Sequence, residues 1–306
     1  MRAVLSRVPV RDLGRQVARR RSHRRAGRHP GRGVSTDSFR VLLVGCGKMG
    51  GALLAGWIER GFNPADLSVV EPEAVDAAVA RKFGVAVVDD PARLPAGFAP
   101  DMVVIAVKPQ STDAALPAYR PFAEKGAAFL SIAAGRPIAY FERLLGPGAR
   151  ILRAMPNTPA AVHRGITVIA ANARVDARTR ARAETLLAAV GQVEWVDDEG
   201  LIDAVTAVSG SGPAYVFLLA ECLAEAGRAA GLPDVLAQRL ARATVAGAGE
   251  LLHRSGESAE QLRKNVTSPG GTTAAALQVL MAEDGLKPLM TRAVAEATRR
   301  SRELAG

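Results

Sequence analysis

Cysteine, histidine and aromatic residues are scarce in this chain, and long apolar runs are missing. Among 306 residues there are two cysteines, Cys46 and Cys222, and four scattered histidines. Neither set has the spacing of a zinc site or a disulfide framework, so no metal is expected and the count suits a reducing cytoplasm. Aromatics make up only 4% of the composition. No uninterrupted apolar run reaches the ~18 residues a membrane span needs, and no membrane partner is expected. The longest runs, such as DMVVIAVKP at 101–109, are short and bounded by turn residues, and read as buried strands.

Charge of one sign is also scarcer than the formal net value of +10 suggests. Residues 1–36 hold 11 Arg, one Asp and no Lys or Glu, which alone gives +10. The other 29 basic and 29 acidic residues cancel. A neutral body gives no electrostatic footprint for a phosphate backbone, so nucleic acid is not expected as a partner. The Arg-rich stretch 1–38 has three readings: a disordered extension, a transit-type presequence, or translated sequence upstream of a start near Val34. It lacks the continuous apolar segment of a secretory signal. The favoured expectation is a basic, disordered tail with no part in catalysis.

From Phe39 onward β-branched runs alternate with helical stretches. Strands are expected at 39–45, 67–71, 85–88, 101–108, 127–132, 150–155, 165–171 and 193–196, and helices at 48–60, 73–83, 112–123 and 176–190. This order predicts an α/β domain over 39–198, with a mostly parallel sheet covered on both faces. Beyond it, 199–306 reads as Ala- and Leu-rich helices broken at SGSGP, GLPD, HRSGES, TSPGG and EDGLKP. About a hundred residues of such helices make a thin core, so part of their apolar surface is expected to be buried against a second copy, giving an obligate dimer.

VLLVGCGKMGGALLAGWIERG places Gly45, Gly47 and Gly50 in a G-x-G-x-x-G spacing between a strand and a helix. In that context the first glycine permits the turn, the second lets backbone approach a pyrophosphate, and the third allows close helix–strand packing. The pyrophosphate would rest on the helix N-terminus. Glu71, ending the second strand, stands where an acid bonds the adenosine ribose 2′-hydroxyl, which favours NADH, although a solvated acid at a helix start would read the same way. NADPH and NADH both stay open. Lys108 in AVKP, and the small Ala133, Ala134 and Gly135 in SIAAG, follow later strands that open on the same crevice.

A second glycine-rich helix start is NVTSPGGTT at 265–273. Pro269 would preset a helix-start φ, and Gly270 and Gly271 leave the first-turn amides unobstructed as a carboxylate cradle. Ser268, Thr272 and Thr273 add hydroxyls at its rim. A plain N-cap would read the same way, contributing about 1 kcal/mol to stability and nothing to chemistry. SGSGPAY at 209–215 reads as a helix–helix contact.

Taken in order, GCGKMGGAL, AVKP, SIAAG, RAMPNTPA, AVTAVSGSGPAYVF and NVTSPGGTT resemble the pyrroline-5-carboxylate reductase family over about residues 40–304. The resemblance implies a Rossmann-type dinucleotide-binding domain followed by an all-α dimerisation domain, and homodimers often gathered as decamers of five dimers. It also implies reduction of L-1-pyrroline-5-carboxylate to L-proline by NADPH or NADH. By the same resemblance, the cofactor would contact Val44, Gly45, Cys46, Gly47, Lys48 and Met49, then Ala106, Val107, Lys108 and Pro109, then Ile132, Ala133 and Ala134. The substrate carboxylate would sit on Gly271, Thr272 and neighbouring amides, with the Thr273 hydroxyl near the ring nitrogen. Asn265 and Glu199 match polar positions around the substrate, which in this family lies between the cofactor of one subunit and the helices of the other. VVDDPA at 87–92 departs from relatives that place a cofactor-binding Asn after the third strand. Two other classes stay open: a β-hydroxyacid dehydrogenase, for which Lys264 is the candidate catalytic lysine, and a non-enzymatic nucleotide-sensing module, which would leave SPGGTT unexplained.

Overall fold

Eight strands form a single sheet in the order β3-β2-β1-β4-β5-β6-β7-β8, and the strand order reverses between β1 and β4. The computed structural model describes residues 39–305; the basic stretch 1–38 lies outside the described residues. The strands are β1 (Val41–Val44), β2 (Leu67–Val70), β3 (Ala86–Val88), β4 (Met102–Ile105), β5 (Ala128–Ser131), β6 (Arg150–Met155), β7 (Gly165–Ala171) and β8 (Gly191–Trp195). All neighbours pair parallel except β6 and β7, which run antiparallel. Every expected strand is present, with ends shifted by a few residues.

Period-two alternation sends successive side chains to opposite faces. Val41 and Leu43 join a cluster with Leu53, Trp57, Val69 and Leu186 on one face. Leu42 and Val44 join Val103, Phe129, Phe141 and Ile151 on the other. Parallel strands buried on both sides must be apolar throughout, which is why β1 and β4 read as continuous hydrophobic runs. Helix α1 (Lys48–Glu59) covers the first face beside α6 (Ala177–Ala188), with the Trp57 Nε1 donating to Leu186 O at 2.9 Å. Helix α2 (Ala74–Arg81) follows β2.

Two differences from the sequence reading have clear causes. The helix expected at 112–123 is split into α3 (Thr112–Ala115), a 3-10 turn Leu116–Tyr119, and α4 (Arg120–Glu124). Pro117 and Pro121 each remove an amide donor, so an uninterrupted helix is not available. A further helix, α5 (Ile138–Leu145), lies between β5 and β6 and buries Ile138, Tyr140, Phe141 and Leu145.

The remaining helices are α7 (Leu201–Val205), α8 (Gly212–Ala229), α9 (Asp234–Arg254), α10 (Ala259–Asn265), α11 (Thr272–Leu280) and α12 (Leu286–Ala305). SGSGP was expected to break the chain, but Thr206–Gly210 forms a π-helical turn that joins α7 to α8. The resulting run Leu201–Ala229 is long and apolar enough, by length and composition, to cross a membrane, although polar and charged residues interrupt it. The small Ser and Gly residues disguise that continuity.

Val216, Phe217, Leu218, Leu219, Leu223, Leu236, Leu240, Val279, Leu280 and Leu289 are all exposed in the single chain. Burying one such side chain contributes about 2 kcal/mol. An apolar surface of this extent marks an interaction face.

Candidate active site

Reversal of strand order between β1 and β4 opens a crevice at the carboxyl ends of the strands, where ligands bind in such sheets. A cleft of about 620 Å³ lies there, lined by Val44, Gly45, Gly47, Glu71, Ala106 and Lys108 among others. Gly45 has φ +88°, a conformation that L side chains rarely adopt, and a Cβ there would sit 2.9 Å from Ala106 O. Gly50 packs so closely on the turn that a Cβ would overlap the carbonyl oxygen of Gly45. Gly47 is different: a Cβ on it would meet only Asp76 Oδ2, at 3.7 Å. Thus the outer two glycines are needed for the loop's shape, and the middle one keeps its outer side open. That arrangement fits a pyrophosphate resting on the first turn of α1, which has no side-chain cap of its own.

Glu71 has backbone partners that its position in the sequence did not reveal. It is buried, with Oε2 accepting from Cys46 N at 2.6 Å and Oε1 from Glu73 N at 2.9 Å. Each oxygen thus accepts from backbone, and the carboxylate clamps the glycine loop to the end of β2 while also lining the cleft. Cys46 gives its amide to that clamp, and its side chain is buried in the core. Burial, then the charges of Glu71 and Asp76, push its thiol up to about 11. The thiol is thus held protonated, which makes it a packing residue.

The other cofactor candidates divide. Ala106, Val107 and Lys108 line the cleft; Met49, Pro109, Ile132, Ala133 and Ala134 do not, and Lys48 is exposed at the start of α1. Ala133 is buried, its amide donating to Ser131 Oγ at 3.2 Å, while Ala134 is exposed beside Gly135 (φ +71°). A Cβ on Gly135 would press on Leu304, so the end of α12 returns against this turn.

The second glycine pair builds a helix entrance, by a different route from the one expected. Pro269 does not begin the helix. It sits with Gly270 (φ +68°) inside a turn closed by Gly271 N donating to Ser268 O at 3.1 Å. Proline followed by a glycine of positive φ is the pattern of a type II turn. Gly271 then takes an extended conformation as the residue before α11, with no side chain capping the first turn. The leading amides of α11 point outward, as a carboxylate cradle requires. Ser268 and Thr272 are exposed and Thr273 is half-buried. Asn265 is held in place, donating to Glu257 Oε2 at 3.0 Å and accepting from Gln261 at 2.7 Å. Glu257 and Gln261 were not found from the sequence, which carries no sign of their i, i+4 and i, i+8 partnership with Asn265.

Glu199 has partners of its own. Its Oε1 accepts from Arg153 at 2.8 Å and from Ile138 N at 2.8 Å, so it neutralises a buried guanidinium in β6 and anchors the start of α5. The SGSGP turn also binds inward: Asn157 Nδ2 donates to Ser209 Oγ at 3.2 Å, and Gly210 lies against Met155 at the end of β6. The same turn packs against α12, so the expected helix–helix contact is present and is joined by a contact to the sheet. Among the described residues, none of 265–273 lines the cleft at the strand ends. In the single chain the helix entrance and the cleft are thus distinct surfaces. Lys264 is exposed and paired with Glu260 at 2.7 Å, with nothing to mark it as a catalytic lysine.

Comparison with known proteins bears on both halves. Residues 199–304 match a family model described as pyrroline-5-carboxylate reductase dimerisation, and residues 40–135 match one described as NADP oxidoreductase coenzyme F420-dependent. The chain is 41% identical to the pyrroline-5-carboxylate reductase of Pseudomonas aeruginosa, over 87% of this chain and 97% of that one. It is also 41% identical to the Synechocystis enzyme of the same name, over 87% and 98%. Among solved structures, the pyrroline-5-carboxylate reductase from Coxiella burnetii superposes with a TM-score of 0.83 at 35% identity, covering 88% of this chain and all of that one. The Plasmodium falciparum pyrroline carboxylate reductase with NADP bound gives 0.73 at 28% identity, covering 88% and 98%.

Proposed function

This chain belongs to the pyrroline-5-carboxylate reductase family, and on that premise we propose how its two half-sites share one reaction. The enzyme reduces L-1-pyrroline-5-carboxylate to L-proline with NAD(P)H, the final step of proline biosynthesis, and it is a homo-oligomer. We assign 39–198 to cofactor binding and 199–306 to dimerisation and substrate binding. The free helix entrance at Gly270–Thr273, exposed and separate from the cofactor cleft of its own chain, carries the reading that the partner subunit completes each site.

When bound, the nicotinamide supplies the hydride that reduces the imine carbon. The chain's own task is to align two carbons and exclude water, and alignment alone can account for much of such an acceleration. In our assignment the Gly45–Gly50 loop amides hold the pyrophosphate, with Val44 to Met49, Ala106 to Pro109 and Ile132 to Ala134 around the rest of the cofactor. The amides of Gly271 and Thr272 take the substrate carboxylate, and Ser268, Gly270 and Asn265 frame it. Thr273 donates a hydrogen bond toward the ring nitrogen; a threonine hydroxyl is too weak an acid to protonate it unaided, so the proton reaches nitrogen through water. Glu199 acts through Arg153 and α5 as a positioning residue. We further assign a cytoplasmic location, supported by the two unpaired cysteines, and a decamer of five dimers, carried over from the family resemblance.

Complementation between two inactive variants tests the shared site. Gly50→Ala disables a cofactor loop and Thr273→Ala a substrate cradle. In a heterodimer of the two, one site keeps both wild-type halves only if they come from different chains. A random mixture should then recover about a quarter of wild-type turnover, because half of the dimers are mixed and each holds one intact site of two. No recovery, with mixed dimers verified by mass spectrometry, would put both halves in one chain. Loss of NAD(P)H absorbance with pyrroline-5-carboxylate, and none of the reverse reaction with 3-hydroxy acids, separates this activity from a β-hydroxyacid dehydrogenase and from a nucleotide sensor.

A further inference from the structure

Charge in the cleft at the strand ends is lopsided. Its lining holds Glu71, Glu73, Asp76, Asp89 and Asp90 against Lys108 as the single cation among the described residues. These acids converge from three elements. Glu71 N donates to Val88 O at 2.9 Å, which brings the end of β2 beside Asp89 and Asp90 at the end of β3. Asp76, in the first turn of α2, lies against the central glycine of the loop, its Oδ2 3.7 Å from where a Cβ on Gly47 would stand. Glu71 and Asp76 already act on the neighbouring Cys46 thiol, whose proton they help to retain.

Not all five charges are equally available. Glu71 is turned onto loop amides, Asp90 accepts from Ala92 N at 2.7 Å, and Asp89 is paired with Arg93 at 2.8 Å. Glu73 is exposed and its side chain does not cap α2. Asp76 is half-exposed. Arg93 is spent on Asp89, and Lys48, exposed at the start of α1, does not line the cleft.

We infer that this enzyme prefers NADH to NADPH, and that Glu73 and Asp76 set the preference by repelling a 2′-phosphate on the adenosine ribose. The inference rests on the assignment of this cleft to the dinucleotide. Both cofactors carry the same pyrophosphate, so its repulsion and its attraction to the α1 amides cancel in the ratio of affinities. The 2′-phosphate remains, with a charge of about −1.5 to −2 at neutral pH, in a lining that offers five carboxylates and one ammonium. The preference therefore comes from the charge of side chains following β2, a different origin from the ribose contact expected of Glu71.

Calorimetric titration of the purified, substrate-free protein with NADH and with NADPH is the test, repeated from low to high salt and with the isosteric double variant Glu73→Gln, Asp76→Asn. NADH should bind about tenfold tighter or more at low ionic strength. That ratio should shrink as salt rises, because the screening length falls from about 10 Å at 0.1 M to about 3 Å at 1 M. It should shrink also in the double variant. A purely steric preference would respond to neither. Equal affinities, or tighter NADPH, would overturn the inference while leaving the cleft as the dinucleotide site. If the protein bound neither nucleotide, the assignment of the cleft would itself fall, and the inference with it. The salt series on the unaltered protein keeps the test decisive if the variant does not fold.

Discussion

Replacing Glu199 separates a residue that touches substrate from one that holds the scaffold. Arg153 is buried in β6, with 6% of its side chain exposed, and its guanidinium lies 2.8 Å from Glu199 Oε1; the glutamate side chain is 28% exposed. Glu199→Ala leaves that guanidinium buried without its counter-charge, at a cost of about 3 kcal/mol. It also takes the acceptor from Ile138 N at the start of α5, which adds up to about 1 kcal/mol. Each kcal/mol lowers the melting temperature by about 2 °C in a chain of this size, so a fall of about 6–8 °C is expected. Glu199→Gln keeps an acceptor oxygen and loses only the charge, and should fall by about half as much. Thermal melts at one fixed protein concentration make the comparison, since the stability of an oligomer depends on concentration. A Glu199→Ala enzyme that melted within about 1 °C of wild type, with a raised KM for pyrroline-5-carboxylate, would refute the scaffold role and make Glu199 a substrate ligand.

Gly50→Ala should weaken binding of either nucleotide by about a hundredfold, because the new Cβ runs into the Gly45 carbonyl and the loop must open; Gly51→Ala, whose Cβ would stand 3.4 Å from Cys46 O, should cost far less. Titration of both variants checks the contrast, and equal losses would mean that loop shape does not govern binding. Phe217→Asp puts a charge on a side chain that is 62% exposed in the single chain and lines a groove of about 960 Å³ between α8 and α9. Sedimentation velocity should show about a hundredfold weaker dimer, and an unaltered dimer would place the interface elsewhere. Since burial and two acids raise the Cys46 thiol to about 11, the reactive thiolate is suppressed in the native protein at pH 7–9 and becomes available only as pH rises toward that value. Mass spectrometry after alkylation should find Cys46 unmodified at pH 8 in the folded enzyme and modified in denaturant; modification of native Cys46 at pH 8 would contradict its burial.

How much of this could be read from residues alone depends on the range of the interaction. β1 and β4 were legible because a strand buried on both faces is apolar at every position. The glycine loop was legible because Gly45 and Gly50 answer to backbone constraints within a few residues of themselves. Helix α5 was not, since Ile138, Phe141 and Leu145 give only two turns of periodicity in a segment flanked by Pro137 and Gly146. Nor were the roles of Glu71 and Glu199. An acid at the end of β2 suggests a ribose contact by position, whereas its actual partner, the Cys46 amide, lies 25 residues away. For Glu199 the partner is Arg153, 46 residues away, and nothing local in VDDEG hints at a buried cation in β6. Local rules find elements and turns; which polar groups satisfy each other is decided by packing.

Packing also explains why activity and assembly should be inseparable here. From Leu201 onward the buried apolar side chains are few and mostly alanine, Ile202 with Ala207, Ala224, Ala237 and Ala241, while Phe217, Leu218, Leu219 and their neighbours face outward. Helices that bury so little alone gain most of their stability from a partner. The same helices carry the Gly270–Thr273 entrance, joined to α10 by four residues and continuing into α11, which a short turn links to α12. A cradle for a small anion must hold its amides within a fraction of an ångström to favour the reacting geometry, and an unpartnered helical layer cannot supply that rigidity. Under the proposed shared site, dimer contacts would do two things with one surface: complete the fold of the second half, and hold each substrate entrance rigid opposite a cofactor cleft.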